Sequence, residues 1–220
     1  MRSLRTTRLS LLALALLSIG TVSAMATSKT LDMALVGVGG ANAGGVYTYP
    51  YYLTVDGGPQ IAMVCDSFDD QVGIPDVFKA TESGLLSGHG KFSSRPNAML
   101  DYKAAGLLFL NILANPNNTN LTEEDNFAIW GLFSSNARNN SFFISSGAGS
   151  LDAQYLALAK TAPNSEFNGI VLYTPVSGSH QEYIGYSPGF AATPEPGTMA
   201  LMGTGLLSCA GMFRRKLRKG

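Results

Sequence analysis

Cys65 carries the one thiol outside the last 27 residues, because the only other cysteine is Cys209. A cysteine becomes a nucleophile when a base takes its proton, and a third group usually orients that base. Two histidines are present: His89, within Ser87-Gly88-His89-Gly90, and His180, between Ser179 and Gln181. Neither is set beside Cys65 by spacing, so surface histidines are the simpler reading and a Cys-dependent hydrolase a minor one. Asp66, Asp69 and Asp70 follow the cysteine closely, and negative charge opposes thiolate formation. With Asp76 these acids offer the oxygen ligands a hard cation wants. Their spacing is not that of an EF-hand loop, and a solvated acidic loop is favoured. Zinc spacings, a serine nucleophile elbow and a dinucleotide fingerprint do not occur. The sequence therefore assigns no catalytic residue, metal or cofactor, and predicts a non-enzymatic protein.

The elements that must position these residues follow from local patterns. Val46 to Val55 is rich in β-branched and aromatic residues, which suit a pleated surface. Tyr47, Tyr49, Tyr51 and Tyr52 fall on both faces of such a strand, so some must be exposed or at an interface. Asp56-Gly57-Gly58-Pro59 reads as a hairpin turn. Ile61–Val64 is then the returning strand, with Cys65 at its end. Residues 66–97 carry Gly73, Pro75, Gly84, Gly88, Gly90 and Pro96 and read as irregular. Three helices are predicted next. The first is capped by Asn97 and ended by Asn115-Pro116. The second opens on Thr122-Glu123-Glu124-Asp125, which resembles a capping box, and places Asn126, Ile129, Trp130 and Phe133 on one face. The third is capped by Ser150, with Leu151, Tyr155 and Leu158 inward. Residues 169–174 and 181–186 read as closing strands. The fold class is α+β, with antiparallel strands at both ends and about three helices between. Gly37–Gly45 reads as a turn-rich start; no Lys-Ser/Thr follows it, so it is not a phosphate loop.

Composition narrows the class. Of 220 residues, 45% are hydrophobic and only 14% charged, against about a quarter charged in an average globular chain. A coiled coil, a basic nucleic-acid binder and a highly charged disordered chain are excluded on that balance. The formal net charge of zero hides a segregation. Residues 27–193 hold 7 cations and 14 acids, while both ends are basic. Chains with membrane-facing termini show this pattern.

The N-terminus reads as a secretory signal. Arg2, Arg5 and Arg8 precede the apolar run Leu9–Ile19, which is too short to span a bilayer comfortably. Ala24-Met25-Ala26 is an A-x-A cleavage site for signal peptidase and sets the mature start near Thr27; Val22-Ser23-Ala24 is the alternative. At the other end, Pro194-Glu195-Pro196 precedes an apolar stretch ending at Phe213, then Arg214, Arg215, Lys216, Arg218 and Lys219. About 16 apolar residues are marginal for a span, and the basic block would stay cytoplasmic. The prolines lack N–H groups and favour an extended backbone before the membrane.

This order of Pro-Glu-Pro, short apolar helix and basic cluster resembles the PEP-CTERM sorting tail of Gram-negative bacteria. The resemblance covers about the last 27 residues. It implies processing by an exosortase, an integral-membrane transpeptidase. Inner-membrane anchoring through the C-terminal helix would precede transfer to the outer surface or an exopolysaccharide matrix.

The middle of the chain resembles thioester domains, surface-adhesin modules of Gram-positive bacteria. The residues that carry this are Met63-Val64-Cys65-Asp66 at a strand end and Ala128-Ile129-Trp130 on a later helix. In that family a glutamine two residues before the Ala-Ile-Trp run acylates the cysteine with loss of ammonia. Asn126 holds that position here. It departs from the pattern by one methylene, about 1.5 Å of reach. The alternative is a helix-face amide hydrogen-bonded to a loop, and it is favoured.

The expected organisation is a signal peptide over 1–26, an exported α+β domain over 27–193 and a sorting tail over 194–220. The expected function is a structural or adhesive surface protein. A covalent adhesin built on Cys65 and Asn126 is the alternative.

Overall fold

The structure is a computed structural model and describes residues 29–187 except 41 and 71. The predicted signal peptide with Ala24 and Ala26, the Pro-Glu-Pro motif, the predicted tail helix and the basic end all lie outside the described residues. Among the described residues no helix is long and apolar enough to cross a membrane.

Six strands close into a barrel in the order β1-β4-β5-β8-β7-β6, every pair antiparallel. They are β1 (Thr30–Val38), β4 (Tyr51–Val55), β5 (Ile61–Cys65), β6 (Asp76–Gly84), β7 (Ile170–Pro175) and β8 (Tyr183–Tyr186). A small hairpin of β2 (Asn42–Ala43) and β3 (Val46–Tyr47) sits between β1 and β4. The interior is filled by alternate side chains. Leu31, Met33 and Leu35 point inward from β1, while Thr30, Asp32 and Val36 face out. Phe78 and Ala80 do the same on β6, with Val77 and Lys79 outside.

Between β6 and β7 lie α1 (Ala98–Ala114), α2 (Thr119–Phe133), two short helices α3 (Ser135–Arg138) and α4 (Ser141–Ser145), then α5 (Ala148–Ala159) and a 3-10 turn at Asn164–Phe167. The long helices α1, α2 and α5 pack on one another. Gly106, in the middle of α1, is there for space: a Cβ would stand 2.5 Å from Leu85 Cδ2 and 2.9 Å from Phe167 Cδ1. That close approach outweighs the ~1 kcal/mol that glycine costs inside a helix.

The α+β class and the hairpin at 56–59 agree with the sequence reading. Asp56 (φ 49°) and Gly57 (φ 69°) both take the left-handed region that a tight two-residue turn needs. Several local expectations are corrected. The predicted continuous strand from Val46 is two strands, β3 and β4, separated by Thr48–Pro50. The stretch 66–97 is not wholly irregular, since β6 lies within it, and β1 was not foreseen. Asn97 precedes α1 but makes no side-chain cap bond; only its carbonyl accepts, from Leu100 and Asp101. Helix α2 starts three residues before Thr122 and is capped by Asn118, whose Oδ1 accepts from the Leu121 amide at 3.3 Å. Thr122 is inside the first turn and returns its hydroxyl to the Thr119 carbonyl. Helix α5 starts at Ala148, not after Ser150, and Ser146 Oγ accepts from the Ala148 amide. Its buried face is Ala148, Asp152 and Ala159, while Leu158 is 48% exposed. Small residues win that face because α2 approaches closely: a Cβ on Gly131 would lie 2.7 Å from Asp152 Oδ2.

Register places the two ends of the described chain at one end of the barrel. Met33 pairs with Val55, Leu53 with Ile61, and Val64 with Ile184. The start of β1 and the end of β8 therefore lie together. Cys65, paired with Tyr183, lies at the opposite end.

Candidate functional site

Cys65 closes β5 and is fully buried. Its sulfur accepts from the Ser67 amide at 3.3 Å and faces the Ser67 carbonyl at 3.6 Å. Burial pushes the thiol well above its ordinary value, and the Asp66 and Asp70 charges push the same way. The Ser67 N–H and the neighbouring Trp130 indole oppose the rise. The indole N–H meets no acceptor at hydrogen-bond geometry among the described residues, so its pull on the sulfur is weaker than that of the Ser67 amide. The net result is a neutral thiol at pH 7, which is a poor nucleophile.

Asn126 lies on α2, also fully buried. Its Oδ1 accepts from the Tyr49 amide at 2.8 Å, and its Nδ2 donates to the Cys65 carbonyl at 3.1 Å. One side chain thus ties the segment entering β4 to the last residue of β5. The predicted face of α2 is intact: Asn126, Ile129, Trp130 and Phe133 are all buried. Phe68 and Phe127 meet Trp130 edge-to-face, with centroids 5.2 and 4.9 Å away. The structure therefore brings Cys65 and Asn126 together, as the two motifs suggested. The amide is engaged at both ends with backbone, one partner in the segment before β4 and the other at the end of β5.

The acids after Cys65 do not converge. Asp69 accepts from Asn136 Nδ2 at 2.8 Å, Asp70 pairs with Lys91 Nζ at 2.7 Å, and Asp76 pairs with His180 Nδ1 at 3.0 Å. No group of three or more potential metal-ligating side chains gathers among the described residues. Asp66 also corrects the solvated-loop expectation, because it is fully buried. His180 is stacked on Phe78 at 5.0 Å, and His89 is exposed. The Cys65 sulfur is hydrogen-bonded to Ser67, and His180 Nδ1 lies 3.0 Å from Asp76 Oδ2.

Glu182 is the residue that sequence reasoning missed. It is fully buried next to Asp66. Its Oε1 accepts from Tyr102 at 2.6 Å, and its Oε2 accepts from the Lys91 amide at 2.7 Å and from Thr174 Oγ1. A lone acid before a short strand carries no sequence signal of burial. Its partners come from positions 91, 102 and 174, which only folding assembles.

Above Trp130 opens a cleft of about 180 Å³, with Tyr47, Tyr51, Phe68 and Ile74 on its walls. Tyr51 is buried and gives its hydroxyl to the Tyr47 carbonyl, while Tyr47 is 51% exposed. The tyrosine cluster is thus split between wall and rim, as its two-faced pattern required.

No curated protein matches this sequence. Among solved structures, the N-terminal thioester domain of fibronectin-binding protein SfbI from Streptococcus pyogenes is similar at 11% identity and a TM-score of 0.42, over 78% of this chain and 97% of that one. A likeness that distant carries no argument about chemistry. The family model of the PEP-CTERM protein-sorting motif matches residues 192–216, a span that holds Pro194, Glu195, Pro196, Arg214, Arg215 and Lys216. The chain therefore carries a PEP-CTERM protein-sorting motif at its C-terminal end.

Proposed function

We propose that this is an exported cell-surface or exopolysaccharide-matrix protein, delivered by its N-terminal signal and sorted by an exosortase acting at Pro194-Glu195-Pro196. The observation that carries the reading is the sorting motif at residues 192–216. The motif implies an exosortase as processing partner, with export and membrane anchoring before processing. The domain over 27–193 then has a structural or adhesive, non-enzymatic role. A buried neutral thiol and an amide fully engaged with backbone support this, because neither is poised to react. Both ends of the described chain, Lys29 before β1 and Ser187 after β8, lie at the barrel end opposite Cys65. Deleting residues 194–220 in an exosortase-bearing host should remove the protein from the envelope surface and leave it soluble in the exported fraction. Unchanged surface display would end the sorting assignment.

A second reading is favoured by one observation, the contact of the Asn126 amide with Cys65. In it the sulfur attacks the Asn126 amide carbon. The C–N bond breaks, a C–S bond forms, and the thiol proton leaves with the nitrogen as ammonia. The intact mass of the exported protein decides. The full expected mass, unchanged by methylamine, is the outcome expected here. A mass short by one ammonia, restored with methylamine added, would establish the covalent adhesin instead.

A further inference from the structure

The loop after Cys65 is fastened to the segment entering β8 by a ladder of buried bonds. The Asp66 amide donates to the Glu182 carbonyl at 3.2 Å, and the Glu182 amide donates to Ser67 Oγ at 3.0 Å. Ser67 Oγ in turn donates to Asp66 Oδ1 at 3.1 Å. Gln181 Nε2 donates to the Asp70 carbonyl at 2.7 Å. Across this ladder Asp66 and Glu182 lie opposite one another, each with no solvent exposure. Two buried carboxylates cannot both be ionised at such proximity.

The donors decide where the proton sits. Both Glu182 oxygens receive hydrogens, from Tyr102, the Lys91 amide and Thr174, which suits a carboxylate. Asp66 Oδ2 is buried and receives none from the described residues, which suits a carboxyl oxygen that carries its own hydrogen. The groups facing Asp66 are Cys65 from β5, Glu182 and Tyr183 from the β8 side, Tyr102 from α1, Lys91 from the loop before α1, and Asp70 further along its own loop. The sole cation among them, Lys91, is already paired with Asp70. Burial first, and then the Glu182 charge, hold the Asp66 carboxyl well above the ordinary carboxylate range.

We propose that Asp66 and Glu182 hold one proton between them, and that this proton latches the loop 66–70 over Cys65, so that alkaline pH releases the loop and bares the thiol. When the loop opens, Asp66 enters water and gives up its proton. Opening therefore becomes up to about tenfold more favourable per pH unit until the closed pair itself titrates.

The test is the labelling rate of Cys65 by a disulfide reagent, in the full chain carrying Cys209→Ser so that one thiol remains. Each rate is divided by that of the same protein in denaturant at the same pH, which removes the intrinsic thiolate dependence. Between pH 6 and pH 9 the normalised rate should climb by up to about tenfold per unit in this protein. It should be flat in Asp66→Asn, whose amide donates to Glu182 at every pH, and in Glu182→Gln, whose amide donates to an ionised Asp66. The climb should persist in Asp152→Asn, which lies in the helical layer. A flat rate in the unsubstituted pair, an equal climb in Asp66→Asn, or loss of the climb in Asp152→Asn would overturn the latch. Should neither pair variant fold, the infrared carbonyl band of an un-ionised carboxyl at pH 8 reads the pair directly. Its presence supports the shared proton and its absence overturns it.

Discussion

Asn126→Ala should destabilise the protein by about 3–5 kcal/mol, a large share of the 5–15 kcal/mol typical of a folded domain. The estimate comes from what the truncation strands. The Tyr49 amide loses its acceptor and the Cys65 carbonyl loses its donor, both in a fully buried site. Each unsatisfied buried group costs about 1–3 kcal/mol. The small cavity left by the truncated side chain adds to this. Cys65→Ala should cost less, about 1–2 kcal/mol, because the sulfur contributes mainly apolar volume and a weak contact with Ser67. Urea midpoints of the two variants provide the measurement. If Asn126→Ala fell within 0.5 kcal/mol of the parent, as an ordinary surface substitution does, the amide would not be the tie between β4 and β5. The ranking also separates the roles: a residue kept for packing and polar satisfaction is revealed by stability, a reacting one by mass.

Stability should also fall as pH rises from 5 to 8, against the common expectation that acid destabilises. Two helix carboxyls drive this. Asp125 is raised to about 6, chiefly by burial, with the Asn111 amide at 2.7 Å opposing. Asp152 is raised to about 7, again by burial first. Arg138 opposes that shift from 3.8 Å, and Asp101 adds to it. Each has a buried oxygen without a donor among the described residues. A carboxyl that holds its proton more tightly in the fold contributes stability that is complete below its unfolded value near 3.8. That stability is lost as pH rises through about 6 for Asp125 and about 7 for Asp152. At 1.36 kcal/mol per pH unit the ceilings between pH 5 and 8 are about 1.4 and about 2.7 kcal/mol, and about half of their sum is expected once relaxation and local water are allowed for. Urea unfolding at pH 5, 6.5 and 8 gives the profile. Asp152→Asn should flatten its upper part; a pH-independent midpoint in the parent would show these carboxyls to be solvated.

Such acids lie in the ordinary helix sequences Thr122–Asn126 and Leu151–Gln154, and nothing in those sequences marks them as buried. Asp125 belonged to the segment read as the opening of the helix. It instead sits past the first turn, because Asn118 caps α2. Leu151, Tyr155 and Leu158 were the expected inward residues, yet Asp152 is buried with Ala148 and Ala159. Helical periodicity fixes which residues share a face, but not which face a neighbour covers. Here close contact of α5 with α2 at Gly131 selected the face with the small side chains.

The signals legible in the linear chain are those that act locally or are read by another machine. The Pro-Glu-Pro tail with its basic end is one, because the order of its residues is itself the sorting motif. The Asp56-Gly57 turn is another, because two left-handed residues already reverse the strand. The aromatic and Asn126 face of α2 is a third, set by 3.6-residue geometry. Strands β1 and β6 were not legible: Leu, Met and Ala dominate the inward positions of β1, and those residues favour helices unless a sheet supplies hydrogen-bond partners. Folding supplied them by closing six strands into a barrel, where β1 gains both neighbours. The same closure buried Asp66 and Glu182, 116 positions apart in the chain, against one another. Residues so far apart share no local pattern, so their meeting, and the proton it traps, belongs to the packed barrel alone.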